Sequence, residues 1–252
     1  MSAVEFKIRL ADKNIAVISN FPTTKSFCAK YAAPESTLCD FKVDITLADI
    51  QKEREKSYAE DDFEGKARRE FSDEYLETLA LYRKISDNMC DHGVILFHGS
   101  VISVDGEAFL FTAKSGTGKS THTRLWRELF GERAVMVNDD KPLIALKDNG
   151  EVLVYGTPWC GKHSLGSNIS APLSSICILE RAAQNTITKV AVADVYPLLI
   201  QQTYRSSDPM KLMKTLPLLD SLLKKISVYR LGCNMDIEAA KVAYTAMSGK
   251  NI

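Results

Sequence analysis

Seven consecutive residues, Ser115-Gly116-Thr117-Gly118-Lys119-Ser120-Thr121, carry the clearest chemistry in the chain. Their second half, Gly118-Lys119-Ser120, matches the end of the phosphate-binding pattern GxxxxGK[S/T]. In that pattern backbone N–H groups curl around a polyphosphate, the lysine reaches its outer phosphates and the hydroxyl ligates Mg²⁺. The expected ligands are therefore ATP or GTP with Mg²⁺, held by Ser115 to Thr121, with Ser120 on the metal. Ala113 stands where the full pattern has its first glycine, so the flanking elements must supply the rest of the argument. They fit it. Glu107 to Thr112 is a short apolar run after the turn-forming Asp105-Gly106 and reads as a buried strand. Thr121 to Phe130 puts Leu125, Trp126, Leu129 and Phe130 on one helical stripe, closed by Gly131 at a C-cap position. Strand, glycine turn and helix together place Lys119 and Ser120 in a first helical turn, where unpaired N–H groups favour phosphate.

Phosphoryl transfer also needs carboxylates, to hold Mg²⁺ and to orient an acceptor hydroxyl. Asp139 and Asp140 follow the apolar run Ala134 to Val137, and neighbours in extended chain face opposite sides, so the two are not equivalent. A further loop, Tyr155-Gly156-Thr157-Pro158-Trp159-Cys160-Gly161-Lys162-His163, is expected to expose its tryptophan and to bring Lys162 to the transferred charge. Cys160 has only His163 beside it in sequence, which is poor support for a nucleophile. Arg205 follows the end of a helical stretch and is a candidate finger on phosphate. Asp208 reads as the N-cap of the next helix.

The strands that must position these groups are Val94 to Phe97, Ser100 to Val104, Glu107 to Thr112, Ala134 to Val137 and Ser175 to Glu180. Leu143 to Leu146 and Val152 to Tyr155 flank Asp148-Asn149-Gly150, a hairpin signal, which makes the sheet mixed. A short strand, Ser227 to Leu231, lies between the last two of three helices at Val192 to Tyr204, Met210 to Lys225 and Asp236 to Met247. Before Gly93 the chain shows strands at Val4 to Leu10 and Phe41 to Leu47, then helices at Asp49 to Ala59 and Ser72 to Met89, with Ser72 as N-cap. That gives an N-terminal α+β extension, 1–90, and an α/β nucleotide-binding domain, 91–252.

Composition limits the partners. Lys and Arg number 32, Asp and Glu also 32, so no global field draws the chain to nucleic acid or an anionic membrane. Lys66, Arg68, Arg69, Lys224 and Lys225 read as solvated faces. The apolar stretch Gly93 to Val104 is too short to cross a bilayer, and the N-terminus lacks a secretion signal. Six scattered cysteines without a CxxC pair fit reduced thiols in a cytoplasmic protein and give no structural metal site. Homo-oligomer formation and the choice between ATP and GTP stay open.

His98-Gly99, the strand pair after it, the loop Ser115 to Ser120 and Val137-Asn138-Asp139-Asp140 together resemble the catalytic domain of HPr kinase/phosphorylase, a bacterial enzyme that phosphorylates a serine of a sugar-transport carrier protein. The loop is also similar to that of the ATP-dependent phosphoenolpyruvate carboxykinases. The resemblance implies a mixed-sheet P-loop core with surrounding helices. It makes Lys119 the phosphate clamp, Ser120 a magnesium ligand, Asp139 the base toward the acceptor hydroxyl, Asp140 the metal-side carboxylate and His98 a neighbour of the transferred phosphate. It covers His98 to Asp140 well. Thr121 stands where that family has an acidic residue, and its later signature segment is absent, features tied there to phosphate removal and carrier recognition. The expectation is an ATP- and Mg²⁺-dependent kinase acting on a hydroxyl, a serine of a protein or peptide first. A small-molecule hydroxyl, or a non-catalytic ATP-binding regulatory module, are the alternatives.

Overall fold

Two strands open the chain, β1 (Val4–Leu10) and β2 (Lys13–Ser19), paired antiparallel. They turn at Ala11 and Asp12, both at positive φ (46° and 63°). Such a turn normally announces itself by Asn-Gly or Asp-Gly. Without that signal the second strand was not expected. The computed structural model describes residues 3–114 and 116–252. It divides the chain into two compact units, Met1–Asn88 and Met89–Ile252.

In the first unit α1 (Pro22–Phe27) follows β2, and β3 (Phe41–Asp44) then adds parallel to β2. Next come α2 (Leu47–Phe63), begun by a capping box between Thr46 and Asp49, and α3 (Asp73–Met89), whose Tyr75 N–H donates to Ser72 Oγ at 3.3 Å. The Glu77 carboxylate is fully buried and accepts from the Asn20 and Phe21 N–H groups, which joins α1 to α3.

The second unit runs β4 (Val94–Leu96), β5 (Ser100–Val104), β6 (Glu107–Thr112), α4 (Lys119–Phe130), β7 (Ala134–Asn138), β8 (Leu143–Leu146), β9 (Val152–Tyr155) and β10 (Ser170–Arg181). It ends with β11 (Thr186–Lys189), α5 (Val192–Gln202), α6 (Pro209–Lys225), β12 (Ser227–Cys233) and α7 (Glu238–Ser248). The sheet order around its centre is β7-β5-β6-β10-β12-β11. β6, β10 and β12 are parallel, while β5 is antiparallel to both β6 and β7. The fold is thus mixed α/β. β10 begins five residues earlier than the sequence indicates, because Ser170 to Pro172 pair with β9 and lead on to β8 and β4.

β6 explains why its run is apolar throughout. Ala108 and Leu110 enter one core with Val137, Ile178, Leu199 and Leu222, whereas Phe109 and Phe111 enter another with Trp126, Phe130 and Tyr244. A strand covered on both faces cannot alternate with polar residues. Trp126 lies 5.0 Å from the Phe109 ring and 5.7 Å from that of Tyr244. This packing fixes α4, as its stripe predicted, and therefore the loop that opens it.

The strand directions place the chemistry. β7, β6, β10 and β12 all point the same way, so the residues after each of them gather along one edge of the sheet. β5 runs back from that edge, which brings His98, Gly99 and Ser100 to it as well. Ligands of open α/β sheets bind outside such carboxyl ends.

Candidate functional site

The turn between β6 and α4 is shaped by glycine. Gly116 has φ +76° and Gly118 φ +122°, conformations that side-chain-bearing residues rarely adopt, and nothing lies within 4 Å of where a Gly116 Cβ would stand. Gly118 is the N-cap of α4, with the His122 N–H donating to its carbonyl at 2.9 Å. No side chain caps this helix, so its first N–H groups remain available to an anion. Ala113 is buried in the core shared with Phe111 and Trp126, which is where the first glycine of the pattern would have fallen. Ser115 lies outside the described residues. Lys119 and Ser120 occupy the first turn, and burial holds Lys119 below the ordinary lysine pKa while Asp140 and Asp139 act against that shift.

The two aspartates differ as extended neighbours must. Asn138 explains it. Its side-chain oxygen accepts from Asp140 N–H (2.8 Å) and Lys141 N–H (2.7 Å), bending the chain directly after β7. Asp139 is thereby turned inward, 6% exposed, and takes the Ser100 hydroxyl at 2.5 Å. Ser100 in turn meets Thr123 of α4 at 3.2 Å. Asp140 is turned outward, half-buried, 2.5 Å from Lys141 Nζ and 3.3 Å from His98 Nε2.

His98 belongs to this outer group. Burial, then the charge of Lys119, lower its pKa, and Asp140 only partly offsets them, so the ring is neutral at pH 7. The His98 backbone N–H donates to the Gln202 backbone carbonyl at 2.7 Å, and Phe97 bridges Thr203, which brings the segment carrying Arg205 alongside. Arg205 itself is exposed.

The loop after β9 also reaches the pair. Gly161, at φ +68°, is so near that a Cβ would lie 3.2 Å from Asp140 Cβ, and the exposed Lys162 follows it. Trp159 is not at the surface as expected: it is 6% exposed. Its carbonyl accepts from Lys141 N–H at 3.2 Å and Asn138 Nδ2 donates to the Thr157 carbonyl, so the loop is drawn onto the end of β7. Cys160 donates its thiol to the Thr157 carbonyl at 3.0 Å, and His163 is exposed.

Asn138, within the aspartate motif, joins the site through its side chain, and three further residues join it without a motif to announce them: Ser100, Lys141 and Arg181. Arg181, at the end of β10, donates to the Gly116 carbonyl at 2.6 Å and the Thr117 carbonyl at 3.4 Å, tying down the tip of the glycine turn. Only its position, at the carboxyl end of a strand parallel to β6, marks it.

The residues fit a nucleotide with Mg²⁺. The uncapped helix start, the open space at Gly116 and a hydroxyl in the first turn suit phosphate. Among the described residues no three His, Cys, Asp or Glu converge on a metal, and Mg²⁺ needs none, since it is commonly held by one or two carboxylates, phosphate oxygens and water.

No protein-family profile matches the chain, and no curated protein matches it. Among solved structures, that of the Hpr(Ser) kinase/phosphatase from Coxiella burnetii is similar over 61% of this chain and 97% of that one, with 11% identity and a TM-score of 0.33. The likeness is distant and structural. Among the described residues no helix is long and apolar enough to cross a membrane.

Proposed function

We propose that the chain is a magnesium-dependent kinase that transfers the terminal phosphoryl group of ATP to a hydroxyl, in the manner of the HPr kinase-like P-loop enzymes. A single juxtaposition carries this reading: Lys119 in the first turn of α4, with two carboxylates and a neutral histidine gathered beside it at one sheet edge. Phosphoryl transfer asks little covalent chemistry of a protein beyond positioning and charge neutralisation. Ser120 and the inner carboxylate, Asp139, would hold a Mg²⁺, which would supply part of that neutralisation.

The aspartate roles are exchanged relative to the sequence expectation. Asp139, enclosed under α4 with Ser100, is the metal-side group. Asp140, open to solvent beside His98, orients the acceptor and takes its proton. The acceptor oxygen forms a bond to the terminal phosphorus as the bond to the bridging oxygen breaks, and the bridging oxygen leaves with its electron pair on the diphosphate. Lys119 follows the charge onto the departing oxygens, while Lys162 and Arg205 close the outer side. A serine of a protein or peptide is the first acceptor to try.

The test is label transfer from γ-labelled ATP with Mg²⁺ to serine peptides and small alcohols. Asp140→Asn should lower transfer about 10²- to 10⁴-fold with nucleotide binding retained. Asp139→Asn should instead raise the Mg²⁺ concentration required, and Lys119→Ala should weaken nucleotide binding itself. Nucleotide binding with no transfer to any acceptor would make the chain a regulatory module; transfer to alcohols alone would make it a small-molecule kinase. Equal loss in both aspartate variants with unchanged Mg²⁺ dependence would reject the exchanged roles.

A further inference from the structure

Charge around the outer aspartate is one-sided in a chain whose 32 Lys and Arg balance 32 Asp and Glu. The loop from Gly156 to Ile169 contains Lys162 and His163 and no acidic residue, and the segment from Thr203 to Ser207 contains Arg205 and none. Both reach the carboxyl edge of the sheet. Gly161 abuts Asp140, and the backbone N–H groups of His98 and Tyr204 donate to the Gln202 and Leu96 carbonyls at 2.7 and 2.8 Å. The carboxylates already at this edge are engaged elsewhere. Asp139 accepts from Ser100, Asp140 holds Lys141 and His98, and Glu180 holds Arg230. Asp208, the first acid after Arg205, caps α6 by accepting from the Met210 N–H at 2.9 Å.

Lys162 and Arg205 are therefore cations without anions. Both are exposed, and among the described residues neither forms an ion pair or a side-chain hydrogen bond. Other exposed arginines of the chain are matched: Arg68 meets Asp62, Arg69 meets Asp61 and Arg133 meets Asp105. A solvated face mixes both signs, whereas an edge that gathers unmatched cations complements an anionic partner. The phosphates of a nucleotide already have the start of α4 and Lys119. Lys162 and Arg205 flank Asp140, the carboxylate that faces the acceptor.

We infer that the acceptor is an acidic peptide segment, whose serine hydroxyl approaches Asp140 while carboxylates on either side of that serine pair with Lys162 and Arg205. The inference rests on the kinase reading above and adds the charge of the substrate. Arg205 offers a planar fork that a carboxylate can take with both oxygens, and Lys162 offers a point charge. Exposed pairs are individually modest, worth about two- to fivefold each, and salt weakens them.

Initial rates of label transfer from γ-labelled ATP with Mg²⁺ test this on the full chain, with one serine peptide made in three forms, flanked by Glu, by Gln or by Lys. The expected order of kcat/KM is Glu, then Gln, then Lys, each step about threefold or more, carried by KM and compressed by added salt. Lys162→Glu and Arg205→Glu change exposed side chains and are read by the ratio of the Glu to the Lys peptide. Whatever either does to the overall rate, that ratio should fall about tenfold or invert. Equal kcat/KM for the three peptides, or a lower rate in both variants with the ratio unchanged, would overturn the inference and leave the kinase reading standing. Transfer to small alcohols alone would overturn it as well. A chain that transfers phosphate to no acceptor would overturn both readings.

Discussion

His122 is a buried, neutral imidazole, and its burial makes stability depend on pH. Burial lowers its pKa from 6.5 to about 3. Between those values the unfolded chain holds a proton that the folded chain does not, so stability falls as pH falls from about 6.5 toward 3 and is flat above 6.5. Each unit of that interval is worth roughly 1.4 kcal/mol at full burial, a few kcal/mol in total. His98 shifts in the same direction for the same first cause. Carboxylates such as Asp61, bonded by Arg69, and Asp91, bonded by Lys211, are held below 3.8 and add their own losses only in stronger acid. Urea unfolding at pH 7, 6 and 5 should therefore show a decline that His122→Phe flattens. The variant starts lower at pH 7 by about 1–3 kcal/mol, because the Trp126 N–H is left buried without its acceptor. Parallel slopes in the two proteins would show that His122 is not the titrating group. Nothing in the sequence marks this residue, since a histidine in the fourth position of a helix looks like any other until its neighbours are known.

Among the elements, the loop after β9 is held against the end of β7, and Gly156 is where it is held. A Cβ there would stand 1.9 Å from the Ser167 carbonyl oxygen and 2.8 Å from that of Val137, both backbone atoms that cannot rotate away. Gly156→Ala must push the loop off the end of β7 and should cost about 2–4 kcal/mol in urea unfolding. Because the same loop meets Asn138 and Asp140, transfer activity should fall in the folded fraction too. A variant as stable as wild type would disprove the contact. This element also shows what a sequence reveals and what it hides. Glu107 to Phe130 was legible because apolar strand, glycine turn and amphipathic helix are each local patterns, and the hairpin at Asn149-Gly150 forms as its turn residues require. The placement of Trp159 and the outward turn of Asp140 depend on Asn138 bonding across to Thr157, a contact between segments nineteen residues apart. β2 was hidden for a different reason, since Ala11 and Asp12 adopt positive φ without the residue types that normally signal it.

Across the whole molecule the six cysteines sample both units, and none is in a disulfide. Cys28 in the first unit and Cys177 in the second are fully buried, with the Cys28 thiol pushed up by burial to about 12 and that of Cys177 raised as well. Cys39, Cys160 and Cys233 are half-buried. Since only the thiolate reacts, a thiol at about 12 is roughly a thousandfold less ionised at pH 8 than one at the ordinary value of 9.0. Timed alkylation with peptide mapping should find Cys28 and Cys177 modified only as fast as the chain unfolds. Cys233 is more informative, because it lines a cavity walled by Gly116, Thr117 and Gly118 of the glycine turn, and its own pKa is raised by partial burial. It should react slowly in the free protein, and saturating ADP with Mg²⁺ should slow it several-fold further. Tripolyphosphate fills only the glycine turn and should leave Cys233 as reactive as before. Cys39, in the first unit, serves as the internal reference. Protection of Cys233 by both ligands alike would mean that closure around phosphate, not occupancy by a base, shields the thiol. Protection by ADP alone would tie the cavity and the phosphate turn into one continuous binding site.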